Sequence, residues 1–247
     1  MSNRSAGYLW NKFWTRVVPN ARYLWRSRVR TCGACNRLSL FVAIGEDEEF
    51  HLCIRCRANL RYEMLARYFR NSAPNLERLE VLELDPGSPL HPMLSVARSY
   101  TRSFFRPDVP PGTRRKDGVV CEDITALTFG DESLDVIVSS DVLEHVPDPG
   151  AAFRESARVL RQGGVHVFTV PPRAATRRRA AIEGGRTVIV TGPPEYHRDP
   201  LDPAGVLVYW DYGPDLPTVF ATPGLRFSVV AGPEGSSGRT VWEARKL

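Results

Sequence analysis

The sequence predicts an α/β protein: a doubly wound, mostly parallel sheet with an antiparallel C-terminal hairpin, preceded by a small cysteine-held module. Three observations carry this expectation. Residues 135–172 read DVIVSSDVLEHVPDPGAAFRESARVLRQGGVHVFTVPP, a strand pattern, a polar loop, a helical pattern and a second strand, the βαβ unit whose two strands lie parallel. Two alternating segments close the chain, Leu225 to Ala231 and Thr240 to Arg245, joined by the Gly/Ser-rich stretch Gly232 to Gly238, which reads as a hairpin. Cys32-x-x-Cys35 and Cys53-x-x-Cys56 stand near the start with seventeen residues between them.

Residues 1–31 form the first region. Arg4, Lys12, Arg16, Arg22, Arg26, Arg28 and Arg30 meet no acid there, and Trp10, Phe13, Trp14 and Val17 share one helical face. A helix packing its aromatics on the main body is expected, with an anionic lipid surface or a partner as the alternative. Residues 32–73 follow. Two CxxC turns can converge four thiolates on one Zn2+, a closed tetrahedral site with a structural role, with Ser39 to Ile44 and Phe50 to Leu52 as the hairpin between the knuckles. Residues 57–73 read as a basic helix with Leu60, Met64, Leu65 and Tyr68 on one face.

The third region spans 74–247. Glu77 to Leu84 reads as the first core strand, running into Asp85-Pro86-Gly87. Tyr100 to Phe105 is the second, and the Pro- and Arg-rich residues 106–117 read as a mobile loop able to cover a site. Val119 to Ile124 ends the third strand and Val136 to Val138 forms the fourth. Asp148 is placed to cap a helix, Gly163-Gly164 to stop it, and Val165 to Val170 to form the fifth strand. Residues 173–216 are an insert in which Tyr196, His197, Asp199, Tyr209, Asp211, Tyr212 and Asp215 gather. Arg173 with Arg177 to Arg179 suits a phosphate or carboxylate, or a solvated insertion.

The 247 residues carry a formal net charge of +5, only mildly basic. No run approaches the roughly 20 apolar residues of a membrane helix. No secretory leader is evident, so a cytoplasmic protein is expected. Four of the five cysteines pair at metal spacing and Cys121 reads as a small core residue.

SSDVLEHVPDP, RESARVLRQGG and VFTVPP, with DITALTFGDESLDVIVSSDVLEH starting upstream at Asp123, together resemble class I S-adenosylmethionine-dependent methyltransferases, the type 11 group. The resemblance covers about residues 76–247. Cys56 leading into an Arg-rich helix resembles the subset of these enzymes with an N-terminal zinc ribbon. The resemblance implies that Glu83, Asp85 and Gly87 hold the methionine part of the cofactor. It further implies that Asp123 accepts from the adenine amino group with Ile124 against the ring, and that Ser140 and Asp141 lie at the strand ends facing the ligand. It places Glu144 and His145 near the methyl-transfer pocket and favours His197 as catalytic base. Structural alternatives stand beside these: Asp123 as a turn cap, Glu144 and His145 fixing a loop, His197 tying the insert to the core. The sequence departs from the family pattern where Asp85 and Pro89 replace glycines, and where the second strand lacks a terminal acid, Asp108 being the nearest. The function implied is methyl transfer to an O or N nucleophile of a small molecule, such as a glycan or secondary metabolite. The alternatives are a non-catalytic binding or scaffold protein of the same fold, or an RNA methyltransferase using ribbon and basic arm.

Overall fold

The computed structural model describes residues 14–15, 18–72, 75–197, 204–235 and 238–247. Most of the expected N-terminal aromatic helix, and Asp199, lie outside these. Residues Val18–Arg26 form a 3-10 helix.

Strands β1 (Arg28–Thr31), β2 (Leu38–Ala43) and β3 (His51–Cys53) make an antiparallel meander in that order. Along β2, Ser39, Phe41 and Ala43 point inward and Leu38 and Leu40 outward, the period-2 alternation of a half-buried strand. The two CxxC knuckles have the same geometry. Asn36 N–H donates to Cys32 O at 2.9 Å and Arg57 N–H to Cys53 O at 2.7 Å. Cys32 N–H and Cys53 N–H in turn donate to Arg37 O and Ala58 O, each at 2.9 Å. Each knuckle ends on a left-handed residue, Asn36 at φ 53° and Arg57 at φ 70°. Asn tolerates that region, whereas Arg pays about 1 kcal/mol for it. Arg57→Gly is therefore expected to stabilise the protein by about 1 kcal/mol, read as a raised denaturant midpoint at unchanged slope; an unchanged or lower midpoint contradicts the strain.

Helix α1 (Leu60–Ser72) joins this module to the sheet. Glu63 accepts from Gly33 N–H at 2.6 Å and takes a two-pronged ion pair from Arg30. Two turns further along the same helical face, Arg70 donates to Gly33 O and Ala34 O. Tyr62, Met64, Leu65, Tyr68 and Phe69 are buried, so the amphipathic helix lies between ribbon and sheet.

The main sheet uses β4 (Glu80–Glu83), β5 (Ser99–Phe104) after the short α2 (His91–Leu94), β6 (Val120–Cys121), β7 (Leu134–Ser140) and, after α3 (Pro149–Val159), β8 (Leu160–Thr169). An insert of paired short strands follows: β9 (Arg177–Arg178), β10 (Ala180–Glu183), β11 (Arg186–Ile189), β12 (Tyr196–His197), β13 (Val206–Leu207) and β14 (Trp210–Asp211). The pairs are β10 with β11, β12 with β13 and β14 with β9. After α4 (Leu216–Val219) come β15 (Leu225–Glu234) and β16 (Arg239–Lys246). The seven-stranded order is β15-β16-β8-β7-β4-β5-β6. Strands β4 to β8 pair in parallel, and β16 runs antiparallel to both β8 and β15. This is the expected mixed, Rossmann-like sheet. Val81, Val136, Val138, Val165, Val167 and Val241 face α1 and the ribbon cysteines. Phe168, Val170, Trp242 and Ala244 face Phe153 of α3.

One local expectation is corrected. Gly163-Gly164 does not stop the helix: α3 ends at Val159, capped by Leu160 N–H to Ser156 O, and β8 runs through the diglycine. The pairing of β7 with β8 shifts between Leu134 and Val136, so the glycines form a bulge. Gly163 takes φ 76°, and a Cβ on Gly164 would meet Asp135 O at 3.0 Å. Residues 106–117 fold back on β6, with Gly112 N–H to Cys121 O at 2.7 Å and Cys121 N–H to Thr113 O at 2.8 Å. Among the described residues no helix is long and apolar enough to cross a membrane.

Candidate functional site

The chain runs β4, β5, β6 toward one sheet edge and then β7, β8 toward the other, so the direction reverses between β4 and β7. Ligands of open α/β sheets bind in the crevice outside the strand ends at such a reversal. Glu83, Asp85, Gly87, Ser140 and Asp141 all stand at this crest.

Glu83 ends β4 with 1% of its surface exposed and accepts from Tyr100 O–H. Burial pushes its carboxyl up to about 8, against the hydrogen bonds from Ser88 and Tyr100. Asp85 turns its carboxylate on its own loop, Oδ1 accepting from Gly87 N–H at 2.7 Å and Oδ2 from Tyr62 O–H of α1. The substitution of Asp for glycine thus has a structural use: it braces the turn and clasps the ribbon helix. The space over the turn stays open, since a Cβ on Gly87 would meet only Asp85 Oδ1, at 3.7 Å.

Ser140 and Asp141 are engaged by the ribbon. Arg61 Nε donates to Ser140 Oγ at 2.9 Å. Arg61 pairs with Glu49 and, at 3.4 Å, with Asp141. Arg239 pairs with Asp141 at 2.8 Å and reaches Glu49 at 3.8 Å. Two arginines and two carboxylates from ribbon, α1, β7 end and β16 close a ring. Burial alone would raise the Asp141 carboxyl, but Arg61 and Arg239 hold it below the usual range. Burial raises Glu49 despite the same two arginines. Asp141 itself sits at φ 53°.

Along the edge, Asp123 Oδ1 accepts from Thr125 N–H at 2.8 Å and Thr125 O–H at 2.7 Å, the turn-capping alternative. Asp123 Oδ2 has no partner among the described residues. Ile124 is buried beside Leu143 and Phe153. Asp108 pairs with Arg106 on an exposed loop, so it does not supply the missing acid at the end of β5.

Glu144, His145 and His197 come together although 51 residues of chain separate His145 from His197. The 3-10 turn Leu143–His145 follows β7. The insert is fastened to it by Tyr209 N–H to Glu144 O at 2.7 Å and Tyr212 O–H to Leu143 O at 2.9 Å. Tyr209's neighbour Trp210 adds Nε1–H to Pro147 O at 3.2 Å. Glu144 is 1% exposed and neither of its carboxylate oxygens has a hydrogen-bond partner. His145 Nε2 lies 3.8 Å and His197 Nδ1 3.5 Å from Glu144 Oε1. The two rings meet edge to face, centroids 4.9 Å apart. Glu144, then Glu195, raise the His197 pKa above its ordinary value against burial.

The insert's arginine cluster meets an internal anion. Buried Asp211 receives Arg177 at 2.7 Å and Arg173 and Arg179 at 3.4 Å each, and Arg173 also pairs with Glu195 at 2.6 Å. In the ribbon, one ligand atom from each of Cys32, Cys35, Cys53 and Cys56 lies within 4.8 Å of the others, spacing that suits one Zn2+. Burial pushes the Cys32 thiol up to about 11, a penalty that a cation among the four sulfurs reverses.

Spacing and motif do not mark Glu49 or Arg239 as site residues. Arg61 stands in the basic helix after the second knuckle, where contact with an anionic group or a solvated face is the expectation, and no local pattern pairs a loop acid with a residue of the last strand.

Residues 92–168 match the family model described as a methyltransferase domain. Demethylmenaquinone methyltransferase of Roseiflexus castenholzii is 39% identical over 71 residues, 29% of this chain and 30% of that protein. Demethylmenaquinone methyltransferase of Mycobacterium bovis is 33% identical over 118 residues, 44% of this chain and 50% of that one. The chain thus spans half or less of the length of these curated relatives. Among solved structures, an S-adenosylmethionine-dependent methyltransferase from Mesorhizobium loti aligns over 73% of this chain and 97% of its own, at 17% identity and a TM-score of 0.46. The matched methyltransferase segment runs from α2 through β8, so it includes the crest end of β7 and the Glu144–His145 turn.

Proposed function

We propose that the protein transfers a methyl group from S-adenosylmethionine to an O or N nucleophile of a small molecule. The observation that carries this reading is the acid-lined crest at the sheet's reversal point in a chain whose residues 92–168 match a methyltransferase domain. The crest suits a cationic ligand: Glu83 and Asp85 bring carboxyl groups to it, and the space over Gly87 is open. When bound, S-adenosylmethionine supplies an electrophilic methyl group on a sulfonium sulfur. Glu83 and Asp85 meet its positive charge, Ser140 and Asp141 line its side, and Asp123 Oδ2 accepts from the adenine beside Ile124. Glu144, His145 and His197 face the acceptor, where positioning and removal of its proton contribute to rate. The relatives named for quinone methylation favour a small-molecule acceptor over nucleic acid. Cys32, Cys35, Cys53 and Cys56 hold a structural Zn2+. Metal-binding cysteine pairs of this spacing suit the cytoplasm, where thiols stay reduced.

Calorimetry of the full zinc-loaded chain with S-adenosylmethionine and with its demethylated product tests this. Saturable binding is expected, weakened about tenfold by Asp123→Ala, the loss of one hydrogen bond to a charged group. Absence of heat from both ligands would leave the non-catalytic scaffold as the better description.

A further inference from the structure

We propose that Glu144, His145 and His197 form a binding site for a first-row divalent transition-metal ion, distinct from the four-cysteine site. Three donor atoms, one from each residue, lie within 4.8 Å of one another. The hydrogen bonds behind the rings fix which atoms face inward. The Leu207 carbonyl can only accept, so the 2.8 Å contact puts a proton on His145 Nδ1. That leaves the Nε2 lone pair turned toward Glu144. The Glu195 carboxylate, 3.3 Å from His197 Nε2, likewise draws that ring's proton outward and leaves Nδ1 facing in. Histidine ligands of metals characteristically give their outer N–H to a backbone carbonyl or a carboxylate, and both kinds of support are present.

The inward geometry does not suit hydrogen bonds. Separations of 3.8 and 3.5 Å to Glu144 Oε1 exceed the N–H···O range, and both Glu144 oxygens lack a partner. With both rings neutral, two lone pairs and a buried carboxylate aimed at one point repel one another, and an unpaired buried charge is expensive. A cation at that point satisfies all three. Donors bound at about 2.0–2.2 Å to one ion sit roughly 3–4 Å apart, the spacing of both histidine nitrogens from Glu144 Oε1. With two imidazoles among three ligands, the site favours Zn2+, Co2+ or Fe2+ over Mg2+ or Ca2+. The histidine side chains keep 18% and 30% of their surface exposed, so coordination positions stay open to an oxygen ligand, water or an acceptor hydroxyl. Metal binding here does not depend on the cofactor reading.

The test is a Co2+ titration of the full chain already loaded with one equivalent of Zn2+. One further equivalent is expected, with visible d–d absorption and no thiolate-to-cobalt charge transfer. Its affinity is expected to fall at least tenfold in Glu144→Gln and in His197→Ala. Glu144→Gln keeps the buried shape, and His197→Ala changes a partly exposed residue of the insert, so one variant reports if the other fails to fold. Charge-transfer absorption alone, no second equivalent, or a second equivalent that survives both substitutions overturns the site.

Discussion

Arg61→Met is expected to lower the unfolding free energy by about 3–5 kcal/mol, the usual effect of removing one partner from a buried ion cluster. The guanidinium touches Glu49, Asp141 and Ser140 at once. Without it the two carboxylates share only Arg239, whose contacts are 2.8 and 3.8 Å. For a chain of this size the melting temperature would drop by roughly 6–20 °C. Adding Glu49→Gln should recover part of the loss, because the uncompensated charge rather than the missing bond dominates. A melting curve within a degree of the parent would show that the ring contributes nothing, and additive double-variant data would show that its members act independently.

Glu83→Gln is expected to alter how stability depends on pH. The folded carboxyl titrates near 8 against an ordinary 4.5, so between those values the folded state holds a proton that the unfolded state has lost. A raised folded pKa contributes stability that is complete below about 4.5 and is lost as pH rises toward 8. The rise corresponds to roughly 4–5 kcal/mol. Denaturant midpoints of the parent should therefore fall from pH 5 to pH 9, while those of Glu83→Gln stay nearly level and overtake it at the alkaline end. Parallel profiles would mean that Glu83 is ionised throughout. A cationic ligand at the crest would favour the carboxylate, so cofactor binding near pH 7 should release a proton, seen as binding heats that depend on the buffer's ionisation enthalpy.

What could be read from the chain alone divides along a physical line. The apolar β-branched runs around Val81, Val136 and Val165 specify buried parallel strands, and the four cysteines specify a shared locus, because each pattern is local and repeats at a fixed spacing. The meeting of His197 with Glu144 is suggested by the family resemblance and by a concentration of polar and aromatic residues in an insert whose path is irregular, not by any local periodicity. The ring of Glu49, Arg61, Asp141 and Arg239 left no such trace. Its members come from a loop, a helix, a strand end and the last strand, and only tertiary packing brings them together. The insert's arginines illustrate the same limit: their charge was plain, but that their anion is Asp211 of the same insert was not. At Gly163-Gly164 a residue pair common at helix ends served a bulge instead, because the backbone of Asp135 passes too close for a side chain.

The hydrophobic cluster that begins at Cys32 and Phe41 continues without a break through Tyr62 and Phe69 to Val136 and Val241. A clone started at residue 74 would therefore not liberate a tidy catalytic core. It would bare one whole side of the sheet and leave Asp85 without Tyr62 and Asp141 without Arg61, so the ribbon serves as keystone.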